Sequence, residues 1–106
     1  MEAITPEIRR IADTIIDEYQ PDKIILFGSR ARGEARPNSD IDILVVSDRE
    51  KDLPRYKRGL TVRLKLAGIS TPLDILFYTH EDLARWKNVR QSFSATVLRE
   101  GVVLYK

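Results

Sequence analysis

The sequence KIILFGSRARGEARPNSDIDILVV, residues 23–46, sets a polar, arginine-rich loop between two apolar runs. The first run, Lys23–Phe27, ends at Gly28, and the second, Ile41–Val46, is rich in β-branched side chains. Short apolar runs bounded by turn-forming residues are typical of buried strands. We therefore predict two strands here, joined by the arginine-rich loop.

Predicted helices and further strands alternate over the rest of the chain. Thr5, Pro6 and Glu7 are typical of a helix start, and the apolar residues that follow recur at helical spacing as far as Tyr19. The other predicted elements are a helix from Asp52 to Gly68, a strand Leu73–Tyr78, a helix capped by Thr79 and Asp82 that runs to about Asn88, a helix from Ser92 to Gly101, and a strand Val102–Tyr105. This order predicts one α/β domain over residues 1–106, a small mixed sheet with flanking helices.

The predicted helix that starts at Asp52 combines an apolar face with many cations. Five apolar residues fall near one face, which we expect to be buried. They are Leu53, Tyr56, Leu60, Leu64 and Ala67. The run from Arg49 to Lys65 holds seven cations against two acids, a pattern typical of a solvated helix face. Contact with an acidic partner or with RNA is the alternative, because clustered positive charge attracts anions.

Composition limits the chemistry that this chain can support. Its 106 residues contain no cysteine and one histidine, which excludes disulfides and thiolate sites and argues against a histidine-held zinc ion. Any metal is therefore expected to be held by oxygen. No segment approaches the roughly 20 apolar residues that span a bilayer, so we predict a cytoplasmic location without membrane contact. A net charge of +2 permits a nucleic-acid partner without requiring one.

Asp40 and Asp42 are the first candidates for a catalytic site. Residues two apart in a strand project to the same side, so we expect these carboxylates to be neighbours. Like charges at that distance repel unless one carboxylate takes a proton or a cation lies between them. A hard divalent ion such as Mg²⁺ suits this arrangement, with water and substrate phosphate completing its shell.

The turn at Gly28 and Ser29 is the candidate phosphate site. A strand that ends in glycine and serine exposes backbone N–H groups and a hydroxyl where a phosphate can approach closely. Arg30 and Arg32 follow in the same loop and can neutralise phosphate charge, although solvated arginines on a short helix give the same pattern. A triphosphate at the turn and a metal at the paired carboxylates together describe nucleotidyl transfer.

Asp74 is the candidate third carboxylate. Two-metal sites hold their ions about 3.5–4 Å apart and take ligands from more than one strand. Asp74 interrupts the apolar strand Leu73–Tyr78, where a charge is expensive unless it is partnered. We expect it to hold a second metal or to accept a proton from the attacking hydroxyl. A buried ion pair with an arginine is the alternative.

Two conspicuous side chains are left outside the predicted site. His80 lies at a predicted helix start, where an exposed position is expected. Trp86 is expected to pack in the core with Leu83.

Together these motifs resemble the nucleotidyltransferase superfamily typified by DNA polymerase beta and the aminoglycoside nucleotidyltransferases. The resemblance rests on Gly28-Ser29, a ten-residue gap, Asp40-Ile41-Asp42 and the later strand aspartate Asp74. The run FGSRARG at residues 27–33 and the short chain make the sequence most similar to the minimal nucleotidyltransferases of that superfamily. The resemblance covers nearly the whole chain.

The resemblance implies a polymerase beta-like fold and the transfer of AMP from ATP with two Mg²⁺ ions. It implies nucleotide phosphates at Gly28 and Ser29, and Mg²⁺ on Asp40, Asp42 and Asp74. Many members of the family are antitoxins that adenylylate a tyrosine of a HEPN-domain RNase toxin, so such a toxin is the expected partner. Nucleic acid is not expected as the direct substrate, and ATP as the donor rests on the resemblance alone.

Two other functions stay open from the sequence. The first is a nucleotidyltransferase that acts on a small molecule or on a nucleic-acid end. The second is a non-catalytic, nucleotide-binding antitoxin that inhibits its partner by covering it. The intact set of three carboxylates argues against the second.

Overall fold

A computed structural model describes residues 4–86, 89 and 92–106 of the chain. Its elements are α1 (Pro6–Tyr19), β1 (Lys23–Phe27), β2 (Ile41–Val46), α2 (Leu60–Lys65), β3 (Leu73–Tyr78), α3 (His80–Trp86), α4 (Phe93–Glu100) and β4 (Val102–Tyr105). A short 3₁₀ turn, Arg55–Lys57, precedes α2. Within these ranges, no helix has the length and apolar character needed to cross a membrane.

The four strands form one mixed sheet in the order β3-β2-β1-β4. β1 pairs antiparallel with β2 and with β4, whereas β2 and β3 run parallel. Parallel neighbours need a crossover connection, which α2 and its flanking loops provide. The predicted α/β fold with a small mixed sheet is therefore confirmed. The pairing brings the end of β1 and the starts of β2 and β3 to one end of the sheet.

Helices cover both faces of the sheet. On one face, α1 and α2 pack against alternate strand residues such as Ile43. On the other face, Leu44 packs in a second cluster with Val97 of α4. Because strand side chains alternate between faces, Asp42 and Asp74 belong to the face that α4 covers.

The first helix begins as its sequence predicts. The Thr5 hydroxyl accepts a hydrogen bond from the Ile8 N–H at 3.2 Å, and Pro6 occupies the first turn, where its missing N–H is harmless. The helix ends at Gln20, which adopts a left-handed conformation with φ 49°. The buried face comprises Ile8, Ile11, Ala12, Ile15 and Tyr19. The predicted amphipathic helix is confirmed.

The segment between β2 and β3 departs from its predicted form. In place of one helix from Asp52 to Gly68, the chain forms the 3₁₀ turn and the six residues of α2. Gly59 separates the two in a left-handed conformation with φ +74°. It lies so close to the ring of Phe77 that a methyl group built there would overlap the ring. This close packing of a glycine on the sheet explains why the helix is interrupted.

The predicted apolar face of this segment is wrong as a consequence. Restarting the helix at Leu60 changes which residues face the sheet, so Val62 and Leu66 are buried. All five residues predicted to be buried are exposed: Leu53, Tyr56, Leu60, Leu64 and Ala67.

The basic run of this segment includes internal tethers. Arg58 is buried, and it donates to the Phe77 carbonyl oxygen at 3.1 Å and to the Asp82 carboxylate at 3.0 Å. Arg63 donates to the Ile75 carbonyl oxygen at 3.0 Å. Both carbonyls belong to β3, an edge strand, so the arginines occupy acceptors that another strand would otherwise use. The expected solvated face is therefore wrong for Arg58.

The predicted caps of α3 and α4 are confirmed. Thr79 and Asp82 exchange two hydrogen bonds of 3.0 Å, each side chain accepting from the other residue's N–H. The Ser92 hydroxyl accepts from an N–H of the first turn of α4 at 3.1 Å. Helix α3 is described as far as Trp86. The predicted end near Asn88 and the packing of the Trp86 side chain lie outside the described residues.

Candidate active site

Two carboxylates lie side by side at one end of the sheet. Asp42 of β2 and Asp74 of β3 are register partners in the parallel pair. Neighbouring strands lie about 4.8 Å apart, so side chains at such positions can share one ion. The structure thus brings together two of the three predicted carboxylates, which come from separate strands.

Asp42 is the partly buried member of the pair. On its other side, its antiparallel register partner is Phe27, the last residue of β1. The Phe27 ring packs edge-on against Phe93 of α4, with 5.2 Å between ring centroids. An aromatic contact therefore forms at the strand position next to Asp42.

Burial and like charge both act on Asp42. Burial raises the pKa of the Asp42 carboxyl above its ordinary value, and the charges of Asp74 and Asp40 raise it further. The guanidinium groups of Arg30 and Arg32 act in the opposite direction. Asp40 itself is exposed, just before β2 begins. The site is thus a place where added positive charge stabilises the ionised acids.

Asp74 is not the buried charge that its strand suggested. It is the second residue of an edge strand, and its side chain is exposed to water. The expectation that a charge there is expensive is wrong, because the edge position keeps the carboxylate hydrated. None of the ion pairs seen among the described residues involves Asp74, so the alternative of a buried pair with an arginine is also wrong.

The turn after β1 lies directly against Asp42. Gly28 has a left-handed backbone with φ +76°, and a methyl group built on it would overlap Oδ2 of Asp42. The Gly28 carbonyl accepts from the N–H groups of Ala31 and Arg32 at 3.1 and 3.2 Å. The candidate phosphate-binding turn, which continues into Ser29, and the candidate metal-binding carboxylate are therefore in contact.

The two candidate phosphate-binding arginines have partners within the loop. Nε and Nη2 of Arg30 donate to the Ser39 carbonyl oxygen at 3.2 and 2.7 Å, and Nε also donates to that of Asp40 at 3.2 Å. Arg32 pairs with Glu34 at 2.6 Å on the surface. Arg30 thus ties the loop to the start of β2, and contact of either arginine with a nucleotide stays a prediction.

The donor set at this end of the sheet fits a magnesium ion. Mg²⁺ in proteins is commonly held by one or two carboxylates, with water and substrate phosphates filling the remaining positions. Asp42 and Asp74 offer oxygen ligands on adjacent strands beside a turn suited to phosphate. Among residues 4–86, 89 and 92–106, no three acidic or histidine side chains already converge on a common point. The assignment of Asp40, Asp42 and Asp74 as metal ligands stays a prediction.

The contribution of Phe27 and Phe93 was missed from the sequence. Phe27 stands immediately before the Gly28 turn, and that position was the only available signal. The pairing with Phe93 depends on how α4 docks, which no local pattern specifies. The prediction for His80 is confirmed: it is exposed, and its Nε2 lies 2.7 Å from Oδ2 of Asp22.

A family model described as a nucleotidyltransferase domain matches residues 8–104 of this chain. The chain belongs to this family, and it is a nucleotidyltransferase. Its fold is accordingly that of the polymerase beta-like nucleotidyltransferases, as predicted. A crystal structure of a "putative nucleotidyltransferase" from Sulfolobus solfataricus shares this fold, with a TM-score of 0.54 and 22% identity, covering 92% of this chain and 76% of that one.

Two relatives come from Methanocaldococcus jannaschii. "Putative protein adenylyltransferase MJ0604" is 41% identical over 83 residues, which cover 78% of this chain and 77% of the relative. "Putative protein adenylyltransferase MJ0141" is 30% identical over 99 residues, 93% of each chain.

Proposed function

We propose that this chain transfers AMP from ATP to a tyrosine of a partner HEPN-domain RNase toxin, in a reaction that depends on Mg²⁺, and thereby acts as an antitoxin. The observation that carries the proposal is the contact between the Gly28 turn and Asp42, with Asp74 in register beside it. This contact supports the proposal because the candidate phosphate-binding turn and the two carboxylates lie within one small area. The names of the two relatives support a protein as the acceptor.

The triphosphate would be held at the turn that follows β1. The space that a side chain of Gly28 would fill is taken by the Asp42 carboxylate. A phosphate would therefore meet the backbone of the turn and the hydroxyl of the partly exposed Ser29, next to that carboxylate. Arg30 and Arg32 act electrostatically on the same area, as their effect on the pKa of Asp42 indicates. The arginines would offset part of the charge of the phosphates.

The carboxylates would hold the metal, and one of them would accept the proton of the acceptor hydroxyl. Bound Mg²⁺ supplies charge neutralisation at the phosphates and a template for in-line attack. Asp42 and Asp74 would hold it, with Asp40 at the rim. Asp74 and Asp40 are both exposed, so water and the acceptor can reach either, and Asp74 is the carboxylate that we assign to accept the proton of the incoming hydroxyl.

The chemical step is a displacement at the α-phosphorus of ATP. The acceptor oxygen forms a bond to that phosphorus, and the bond from the phosphorus to the bridging oxygen of the β-phosphate breaks. Pyrophosphate leaves with the electron pair of the broken bond, and the hydroxyl proton passes to a carboxylate. Most of the acceleration expected from such a site comes from positioning and charge stabilisation.

A macromolecular acceptor suits the openness of the site. Both Asp40 and Asp74 are exposed, so the carboxylates lie at the surface of the domain and not in a closed pocket. A tyrosine presented by another protein can reach such a surface. This openness favours a protein acceptor over a small molecule, which normally needs a concave pocket around most of its surface.

The test is transfer to a purified HEPN-domain RNase toxin, the acceptor that the proposal names. The two proteins are incubated with ATP and Mg²⁺, and the intact mass of the HEPN-domain protein is measured. We expect increments of one AMP on a tyrosine with the unaltered chain and with the control Asp13→Asn, an exposed acid of α1, but not with Asp42→Asn. An unmodified partner that is nevertheless inhibited would favour inhibition by covering, and an unmodified, uninhibited partner would favour a different acceptor.

A further inference from the structure

One exposed apolar surface is not used by the proposed reaction. We propose that the α2 patch, defined as Leu53, Tyr56, Lys57, Leu60 and Leu64, docks the acceptor protein through a segment of that protein that carries apolar and acidic side chains. This inference rests on the proposed function in one respect, since it takes the acceptor to be a protein.

The apolar part of the α2 patch is large and concave. Tyr56, Leu60 and Leu64 are 79%, 62% and 68% exposed, although apolar side chains of this size normally pack inside. Leu53, Tyr56 and Leu60 line one cavity of about 370 Å³, and Leu64 lies one helical turn beyond Leu60. Clustered exposed apolar residues with a polar rim mark interaction sites. The interruption of the helix at Gly59 is what turns this face outward.

The charge around the α2 patch defines the partner. Between residues 51 and 65, five exposed cations accompany one exposed acid. The cations are Lys51, Arg55, Lys57, Arg63 and Lys65, and the acid is Asp52. Lys57 and Arg63 line the cavity itself, whereas Lys65 is already paired with Glu18 at 3.5 Å. A docked segment therefore gains from carboxylates placed near Lys57. An apolar centre inside a charged rim is the anatomy of a protein interface. Tyr56 alone can stack on a base, whereas the three leucines of the patch offer nothing to phosphates or base edges, and this apolar majority favours a protein over RNA.

The α2 patch lies at the same edge of the sheet as Asp74, although α2 packs on the opposite face. The hydrogen bonds from Arg58 to Phe77 and from Arg63 to Ile75 tether its segment along the outer edge of β3. Asp74 immediately precedes Ile75 in that strand. With a rise of about 3.3 Å per residue, Asp74 is roughly 10 Å from Phe77. A protein docked on the α2 patch therefore has to reach around the edge strand β3 to contact the face that carries Asp42 and Asp74.

Exposed substitutions test this docking without disturbing the core. The double variant Tyr56→Ala with Leu60→Ala removes the apolar centre, and Lys57→Glu reverses a rim charge. Tyr105→Ala is the matched control, because Tyr105 is also exposed (37%) but lies on β4 at the far edge of the sheet. The probe is a purified HEPN-domain RNase toxin, the acceptor named in the proposed function, with its Kd measured by calorimetry and AMP transfer measured as a function of its concentration.

The double variant and Lys57→Glu are expected to raise the Kd, and the KM for the HEPN-domain protein, about tenfold or more, with the KM for ATP unchanged. Tyr105→Ala should stay within about twofold. Equal Kd values for all variants, or no binding by the unaltered chain, overturn the docking proposal. The proposal is also overturned if the variants lose binding only to a labelled single-stranded RNA. It is overturned as well if their only defect is a loss of self-association, measured by sedimentation.

The two proposals fail in different ways in this experiment. Binding that needs the α2 patch but leads to no AMP transfer contradicts the proposed function and supports the docking surface. Transfer whose KM for the HEPN-domain protein is the same in the double variant supports the proposed function and contradicts the docking surface.

Discussion

Asp42 has β1 on one side and β3 on the other, so its carboxylate is flanked by Phe27 and by Asp74. Partial burial raises its pKa in the folded protein, and the neighbouring acids raise it further. Between the ordinary value of 3.8 and the raised value, the folded protein binds more protons than the unfolded chain. The free energy of unfolding therefore falls as the pH rises through this window, and it stays lower above it.

The substitution Asp42→Asn should accordingly separate stability from activity. Without Mg²⁺, we expect the variant to melt at the same temperature as the unaltered chain or higher at neutral pH, with this difference vanishing at pH values below the ordinary pKa. AMP transfer should fall by roughly 100-fold or more, because a charged ligand is lost. Thermal unfolding across pH, with a transfer assay in parallel, checks both parts. The account is contradicted if Asp42→Asn melts below the unaltered chain at neutral pH but not in acid.

Gly28 and Gly33 form a matched pair for testing the contact between turn and carboxylate. Both have φ near +75°, so alanine strains the backbone by about 1–2 kcal/mol at either position. Only at Gly28 would the added methyl group overlap Asp42, whereas nothing lies within 4 Å at Gly33. We expect Gly28→Ala to reduce AMP transfer about tenfold beyond Gly33→Ala, measured at saturating ATP. Equal losses in the two variants would show that the contact does not matter.

At the scale of the elements, the sequence predicted the four strands of the described residues and the first helix because each has a clear pattern. Apolar runs with bounding turn residues gave β1 to β4, and Thr5 with Pro6 gave the start of α1. The segment before β3 was mispredicted, since the interruption at Gly59 depends on its packing against Phe77. A local pattern contains no information about such a tertiary contact.

The internal role of Arg58 was invisible in the sequence for the same reason. Burial on its own would raise the pKa of Asp82, but hydrogen bonds from Thr79 and Arg58 outweigh it and leave the pKa below its ordinary value. Arg58 also donates to the carbonyl oxygens of Glu50 and Leu53 at 3.2 and 3.0 Å. It therefore joins the loop after β2, the edge strand β3 and the cap of α3.

Removing this tether should destabilise the fold. We expect Arg58→Met to lower the free energy of unfolding by about 3 kcal/mol, because the buried Phe77 carbonyl and three partly buried acceptors lose their donor together. The control Arg85→Met, which breaks an exposed pair with Glu81 on α3, should change it by less than about 0.5 kcal/mol. Urea denaturation measures both values. Similar values for the two variants would mean that Arg58 contributes no more than a surface arginine.

At the scale of the whole molecule, the site is an assembly of three chain segments at one end of the sheet. The turn after β1 and the starts of β2 and β3 meet there only because β1 is antiparallel to β2 while β3 is parallel to it. The motif spacing predicted the candidate residues without this topology. It did not predict that Asp74 is exposed or that Phe27 packs beside Asp42, since both depend on where the helices and the sheet edge lie.

Metal removal should act on the whole reaction. We expect EDTA to abolish AMP transfer and excess Mg²⁺ to restore it, because the carboxylates repel each other and the triphosphate without a cation. ATP with Mg²⁺ should raise the melting temperature of the unaltered chain but not that of Asp42→Asn. Transfer that persists in EDTA would contradict the role given to the acids.

The most direct test is a crystal structure with Mg²⁺ and a non-hydrolysable ATP analogue. The account predicts the triphosphate on the backbone of Gly28 and Ser29, with an ion between its oxygens and the carboxylates of Asp42 and Asp74. A nucleotide bound elsewhere, or the two carboxylates turned away from each other with no ion between them, would contradict it.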